Sequence, residues 1–277
     1  MRPRQSPVSQ RSDAEDRSSV WLPLLKHLSD AEPNWIVLKH PDSAFTGSGD
    51  IDSVAPRDAW PRIEATFLDW ARLNRLGHVI ACPHAPGWLH LVALDPRGGR
   101  FYELDVNERK LLLGSTLYIA EDLLPLAVQD PRGFRRMRPG AEGLFKLIHN
   151  GTRRGGRRNA KGLREKSVRP LLEADPIGTR LAARRFGWAE TAILRGCDAI
   201  MAGKWDQPAM LFTELRSLAR ATIEPRGIAW RLRFRIVRRT CPLLHAVFSG
   251  RQPPADVARW LAHVRLTHDV WPPIDTF

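Results

Sequence analysis

The sequence predicts an α/β (α+β) protein, in which a small mixed β-sheet with helices is followed by a helical C-terminal half. Three observations lead to this prediction. Strand-like apolar runs cluster between residues 35 and 106, one amphipathic helix interrupts them, and apolar residues recur at helical spacing beyond residue 140. Because 277 residues suffice for one large or two modest domains, we predict an α/β domain over 20–130 and a helical domain over 140–277.

The N-terminal segment 1–19 is polar and contains Asp13, Glu15 and Asp16. It lacks the apolar stretch of a signal peptide, so we predict a disordered tail. No apolar run is long enough for a transmembrane helix. The three cysteines are widely spaced, which favours neither a zinc site nor a disulfide framework. A reducing cytoplasm is therefore the expected compartment.

A buried strand is predicted at Trp35–Leu38, with Lys39 at its end. A small-residue turn follows at Gly47, Ser48 and Gly49. Glycines leave backbone N–H groups accessible, and together with the serine hydroxyl these groups can bind an anion. The turn is therefore a candidate phosphate-binding site.

Asp50 and Asp52 flank Ile51 directly after this turn. In an extended strand the two carboxylates share one face, while Ile51 points to the core. Parallel carboxylates repel unless a cation lies between them, and Mg²⁺ binds one or two carboxylates together with water and substrate phosphates. A solvated turn is the alternative. A calcium loop is excluded, since no Glu follows Asp50 at the required distance.

A helix is predicted over 58–76, after Pro56. Asp58 is the expected N-cap and Gly77 the expected C-cap. The apolar residues at close to helical spacing are Trp60, Ile63, Phe67, Trp70 and Leu73.

A β-hairpin is predicted from the strand-like runs Trp88–Leu94 and Arg100–Val106, which are separated by a Pro- and Gly-containing turn. On its second strand Glu103 and Asp105 share one face. We prefer Asp105 as the third carboxylate ligand of a metal, with Glu103 as the rival candidate. For each of the two residues, the alternative interpretation is an exposed acid on a half-buried hairpin. Cys82, His84 and His90 lie near one another in sequence but lack a fourth ligand, so a zinc site is not predicted.

The segment Gly47–Asp52, followed by Glu103-Leu-Asp-Val, resembles the nucleotidyltransferase superfamily typified by DNA polymerase beta. This superfamily includes antibiotic nucleotidyltransferases and the transferase toxins of toxin–antitoxin systems. Leu38-Lys39 before the turn is similar to the form found in some bacterial members. The resemblance covers residues 35–106 of the 277.

The resemblance implies a nucleotidyltransferase core that moves a nucleoside monophosphate from a triphosphate such as ATP to a hydroxyl acceptor. The acceptor is a small molecule or a tRNA end. Asp50 and Asp52 would bind two Mg²⁺ ions, and Asp105 would be a further ligand or the base. Gly47, Ser48 and Gly49 would cradle the triphosphate. The alternative is an inactive module of the same fold that binds nucleic acid or a protein partner.

The chain carries 43 Lys and Arg against 30 Asp and Glu, a net charge of +13 that favours polyanionic partners. The basic loop 153–166 is a candidate contact for a triphosphate or an RNA backbone, with a solvated loop as the alternative. We expect Lys39 and the helix-borne Lys146 and Lys166 to bind nucleotide phosphates. Residues 230–236 alternate arginine with apolar residues, which indicates a strand or the edge of an amphipathic helix, with membrane or RNA contact as a further option.

A boundary between the two halves is predicted at 130–139, which contains Pro131, Gly133 and four arginines. A helix is expected to open at Gly140. Further amphipathic helices are predicted at Leu163–Ala174, Ile177–Phe186, Ala189–Met201 and Gln207–Thr222.

Overall fold

The computed structural model describes residues 9–47, 49–77, 79–85, 87–95 and 100–223. Residues 1–8 of the predicted tail, Ser48 of the predicted turn and the arginine-alternating segment 230–236 lie outside the described residues. The described chain divides into two compact units. The first comprises the residues up to Asn107 together with Gln129–Arg135, and the second comprises Glu108–Val128 and the residues from Arg136 onward.

The elements of the described chain alternate between helix and strand in the first unit and are mostly helical in the second. The strands are β1 (Ile36–Val37), β2 (Ile51–Val54), β3 (Val79–Ala85), β4 (Trp88–Asp95), β5 (Arg100–Asn107), β6 (Arg109–Leu112), β7 (Ser115–Ile119), β8 (Ala127–Gln129), β9 (Arg135–Met137), β10 (Thr152–Arg153) and β11 (Arg157–Arg158). The helices are α1 (Ser9–Ala31), α2 (Asp42–Phe45), α3 (Trp60–Leu73), α4 (Ala120–Leu123), α5 (Pro139–Gly151), α6 (Glu165–Ala174), α7 (Pro176–Arg184), α8 (Glu190–Met201) and α9 (Gln207–Ile223).

Seven strands form a mixed sheet in the order β3-β4-β5-β2-β1-β9-β8. β2 runs parallel to β5, whereas the pairs β1–β2, β3–β4 and β4–β5 are antiparallel. The predicted mixed sheet and the predicted hairpin, formed by β4 and β5, are therefore confirmed. The remaining strands β9 and β8 follow β1 in the order of the sheet.

The pleat of the sheet separates polar from apolar residues. Asp52 pairs with Asp105, and Asp105 pairs in turn with His90, so these three side chains lie on one face. Ile51 pairs with Leu104 on the other face, and both are fully buried. The alternation predicted from the sequence is thus present in β2.

The apolar face of the sheet is covered by α1 and α3, which contribute to one buried cluster with Ile51 and Leu104. Within it, Trp21 of α1 stacks on Trp70 of α3 at a centroid distance of 5.3 Å. Tyr102 of β5 meets the edge of Trp21 at 5.6 Å. Aromatic packing of this kind fixes the two helices on one side of the sheet, which leaves the opposite face of β2 and β5 for polar residues.

Helix α1 begins at Ser9, where the sequence predicts a disordered tail. The helix forms because its C-terminal half buries Trp21, Leu24 and Leu28 against the sheet, and an anchored helix can extend through residues of polar composition. Arg17, within the predicted tail, lies over the ring of Tyr102 at 5.6 Å. The polar composition alone therefore led to the wrong expectation for the part from Ser9 onward.

The helix predicted over 58–76 is confirmed as α3, but both predicted caps are wrong. A 3₁₀ turn at Arg57–Ala59 precedes α3, Ala59 occupies the N-cap position without a side-chain hydrogen bond, and the C-cap is Asn74. A proline in the first turn lacks an N–H, which reduces the number of donors that a side-chain cap would satisfy. Leu73, expected on the apolar face, is exposed.

The second unit contains the predicted helices with nearly the predicted bounds, as α5 to α9. It also contains the β6–β7 hairpin, which the sequence placed in the first domain. The β6–β7 hairpin contacts α9 of this unit, since the Arg216 guanidinium of α9 donates a hydrogen bond to the Leu117 carbonyl of β7 at 2.7 Å. No helix within the described ranges is both long and apolar enough to cross a membrane.

Candidate metal centre

Three carboxylates converge at the parallel pair β2–β5. The register places Asp52 opposite Asp105, and Asp50 precedes Asp52 by one period of the alternation. One carboxylate oxygen from each of the three lies within 4.8 Å of the others. Since ligand oxygens around one Mg²⁺ ion lie within about 4.2 Å of each other, small side-chain rotations suffice to bring this set to ligating distance.

Lys39 lies beside the carboxylates as a counter-charge. Its Nζ is 2.5 Å from Oδ2 of Asp52, and the neighbouring Leu38 N–H donates to the Asp52 carbonyl at 2.8 Å. Burial lowers the pKa of Lys39, but the charge of Asp52 and its hydrogen bond outweigh burial and raise the pKa above its ordinary value. Lys39 therefore stays charged and neutralises one carboxylate of the three.

Asp50 is the carboxylate of the cluster whose pKa is raised. Its burial, followed by the charges of Asp52 and Asp105, raises the pKa of Asp50 from 3.8 to about 7, although Lys39 opposes the shift. The cluster is therefore only partly ionised near neutral pH. A divalent cation would relieve the repulsion that keeps a proton on this group.

His90 of β4 contacts Asp105, with Nδ1 next to Oδ1. Burial lowers the pKa of His90, but the Asp105 charge and hydrogen bond outweigh it and raise the pKa to about 9. The Asp105 carbonyl also accepts a hydrogen bond from the Ser53 hydroxyl at 2.7 Å. These contacts hold Asp105 in place. Among the described residues, its predicted rival Glu103 is not part of the carboxylate cluster.

Sequence reasoning considered His90 only as a zinc ligand beside Cys82 and His84, and so missed its contact with Asp105. The signal that identifies it is the register of the hairpin. A hairpin with matched strand ends sets His90 directly opposite Asp105 on the same face.

The glycine turn lies next to a cation that the sequence did not indicate. Gly47 has φ +76°, a left-handed conformation that other residues rarely adopt. A Cβ at Gly47 would lie 2.7 Å from the guanidinium carbon of Arg17, and one at Gly49 would lie 2.8 Å from the Ser43 hydroxyl. Arg17 thus lies against the predicted phosphate-binding turn. The sequence signal that could have placed Arg17 on a helix is its spacing of four residues from the buried Trp21, since such residues lie on the same face of a helix.

Lys146 and Lys166 belong to the second unit. Lys146 donates to Glu142, with Nζ 2.5 Å from Oε1, and the buried Glu142 carboxylate also faces Arg136 at 3.5 Å. Lys166 is exposed on α6. Their predicted role in binding phosphates stays a prediction.

Metal binding at this centre should depend on pH. Because a ligating carboxylate must be deprotonated, binding releases the proton that Asp50 holds below its pKa of about 7. We expect the affinity for Mg²⁺ to fall about tenfold per pH unit below 7 and to level off above it. Calorimetric titration with Mg²⁺ between pH 5.5 and 8.5, in buffers of different ionisation enthalpy, measures the affinity for Mg²⁺ and the number of protons released on binding. A flat affinity profile, or no proton release at low pH, would contradict the assignment; Asp50→Asn, which has no such proton, is the matched control.

No protein-family model matches the chain, and no curated protein matches it. Among solved structures, the chain is similar to the crystal structure of JHP933 from Helicobacter pylori, with 11% sequence identity and a TM-score of 0.39. The match covers 84% of this chain and 97% of that chain. A TM-score of this size does not establish a common fold.

Proposed function

We propose that this chain is a metal-dependent nucleotidyltransferase, which moves a nucleoside monophosphate from a nucleoside triphosphate to a hydroxyl acceptor. The observation that carries the proposal is the convergence of Asp50, Asp52 and Asp105 within 4.8 Å on one face of a parallel strand pair. A cationic Lys39 and the cation Arg17 at the glycine turn lie on the same unit. Carboxylates for a metal and cations for phosphates are the two requirements of this chemistry.

The donor set fits Mg²⁺. All three donors are carboxylate oxygens, which hard cations prefer over thiolate or imidazole, and His90 turns its Nδ1 toward Asp105. Burial and the charges of Asp52 and Asp105 raise the pKa of Asp50, and a bound cation would lower it again by favouring the ionised carboxylate. When bound, the metal would supply Lewis acidity, stabilising negative charge on phosphate oxygens and lowering the pKa of the acceptor hydroxyl.

Each residue of the chain then has a definite task. Asp50 and Asp52 bind the metal, while Lys39 limits the excess negative charge at Asp52. Asp105, oriented by His90, acts as a further ligand or accepts the proton of the attacking hydroxyl. The guanidinium of Arg17, which lies against Gly47, would bind triphosphate oxygens, since guanidinium groups donate hydrogen bonds to anions.

The acceptor is either a small hydroxylated molecule or an RNA end such as that of tRNA. The competing proposal is an inactive module of the same architecture that holds nucleic acid or a protein partner. The convergence of the three carboxylates favours the enzyme, because an inactive relative has no need to keep three repelling carboxylates together.

Labelled nucleotides test the reaction class. Purified protein is incubated with Mg²⁺ and each of the four ribonucleoside triphosphates, labelled either on the α- or on the γ-phosphate, with cell-extracted small molecules and RNA as acceptors. We expect the α-label to appear in product and the γ-label in pyrophosphate. Transfer of the γ-label to acceptor would instead indicate a kinase and contradict the proposal. Binding of nucleic acid without turnover of any nucleotide would favour the inactive module.

A further inference from the structure

The second unit carries a concentrated basic surface, which we define as the arginine hairpin: β10, β11 and the segment that continues to Arg169. Residues 153–169 contain eight cations and one acid, Glu165. This local charge of +7 compares with +13 for the whole chain. Apart from the half-buried Arg169, all of these cations are exposed. The cations are Arg153, Arg154, Arg157, Arg158, Lys161, Arg164, Lys166 and Arg169.

The hairpin is held in place through its backbone. Glu214 of α9 accepts hydrogen bonds from the N–H groups of Gly155 and Gly156 at 2.8 and 3.2 Å. The Trp205 indole donates to the Gly156 carbonyl at 2.9 Å. A Cβ at Gly156 would lie 2.5 Å from the backbone nitrogen of Leu211, so only glycine fits there. These contacts fix the turn while using none of its arginine side chains.

The fixed hairpin holds like charges together. Arg153 lies directly opposite Arg157 in the two-stranded sheet, an arrangement that is unfavourable without a counter-charge. Glu214 accepts hydrogen bonds from the backbone N–H groups of Gly155 and Gly156, and Glu165 pairs with Arg158. Within the described chain, Arg154, Arg157, Lys161, Arg164 and Lys166 have no ion-pair partner. An external polyanion would supply the missing charge.

We propose that the arginine hairpin binds the phosphate backbone of RNA. Six of its eight cations are arginines, whose planar guanidinium groups match phosphate oxygens in pairs and stack on unpaired bases. Single-stranded loops and ends of RNA expose both, whereas a DNA duplex exposes no unpaired bases. A membrane-binding element needs apolar side chains among its cations, yet Leu163 and Val168 in this segment are buried. The identification of RNA as the acceptor class rests on the proposed function; the binding surface does not.

Fluorescence anisotropy with a labelled RNA stem-loop that has a single-stranded 3′ end tests the surface. The full chain is used in EDTA and without nucleotide. We expect Arg154→Ala/Arg157→Ala to weaken binding roughly tenfold, and to make the slope of log affinity against log salt shallower by about 1.4 for two lost contacts. The charge-matched control is Arg180→Ala/Lys204→Ala, since both residues are exposed cations of the same unit. We expect it to stay within about twofold of the parent.

Equal weakening in both double variants would overturn the proposal, because it would reflect net charge alone. An Arg154→Ala/Arg157→Ala variant with unchanged affinity for RNA would also overturn it. The same holds if the parent binds duplex DNA or phosphatidylserine vesicles as tightly as RNA. The Asp52→Asn variant should bind RNA like the parent. RNA binding without transfer of an α-label would support the surface and contradict the proposed function, whereas transfer to a small molecule without RNA binding would do the reverse.

Discussion

Replacing Asp52 by asparagine is expected to lower the rate of nucleotidyl transfer at least about a thousandfold. The substitution keeps the size of the side chain, but it removes one charged ligand from the set within 4.8 Å and the partner of Lys39. A metal stabilises the transition state by several kcal/mol, and a loss of about 4 kcal/mol corresponds to a thousandfold in rate. Release of pyrophosphate, measured under saturating Mg²⁺ and triphosphate, gives the rate.

The matched control is Glu103→Gln, an equal change of charge on the same face of β5 as Asp105. Because Glu103 does not belong to the carboxylate cluster, its variant should stay within about threefold of the parent. Circular dichroism melts of both variants separate loss of chemistry from loss of fold. An Asp52→Asn protein that is folded and still active within tenfold would exclude the proposed metal centre.

The largest effect on stability is expected from Trp21→Ala. Trp21 is fully buried between Trp70 and Tyr102, so truncation leaves a cavity in addition to the lost transfer free energy. Such substitutions cost about 3–5 kcal/mol of unfolding free energy. Urea unfolding followed by far-ultraviolet circular dichroism measures the change in the midpoint and the slope.

Trp188→Ala is the control, because the same side chain is mostly exposed there and contacts Phe212 at 6.2 Å between ring centroids. We expect it to cost less than about 1 kcal/mol. If the two variants were equally stable, α1 would not be packed against the sheet in solution, and the position of Arg17 at the glycine turn would have to be abandoned.

The parts of the fold that depend on local patterns were predictable. The alternation of Asp50, Ile51 and Asp52 follows from the two-residue period of a strand, and the bounds of α8 and α9 follow from helical periodicity. Asp105 was identified ahead of Glu103, and the structure brings it into the carboxylate cluster. The residue pattern within a single helix or strand is enough to make each of these predictions.

The parts that depend on contacts between distant segments were not predictable. The polar composition of residues 1–19 predicted a disordered tail that includes Ser9 and Arg17. The local sequence could not show that α1 is stabilised by burial against sheet residues far along the chain. The contact between His90 and Asp105 depends on the register of two strands rather than on either strand alone. The grouping of residues 108–128 with the second unit also depends on a distant contact, since Arg216 of α9 donates a hydrogen bond to Leu117 of β7.

The parallel pairing of β2 with β5 has a consequence during synthesis of the protein. Ile51 meets Leu104 only after the intervening residues have left the ribosome, and pairings of such large sequence separation form slowly. A nascent chain that ends before Asp105 therefore contains Asp50 and Asp52 but lacks the third carboxylate of the cluster. Under the proposed function, the three carboxylates would come together for metal binding only after the residues of β5 have been synthesised.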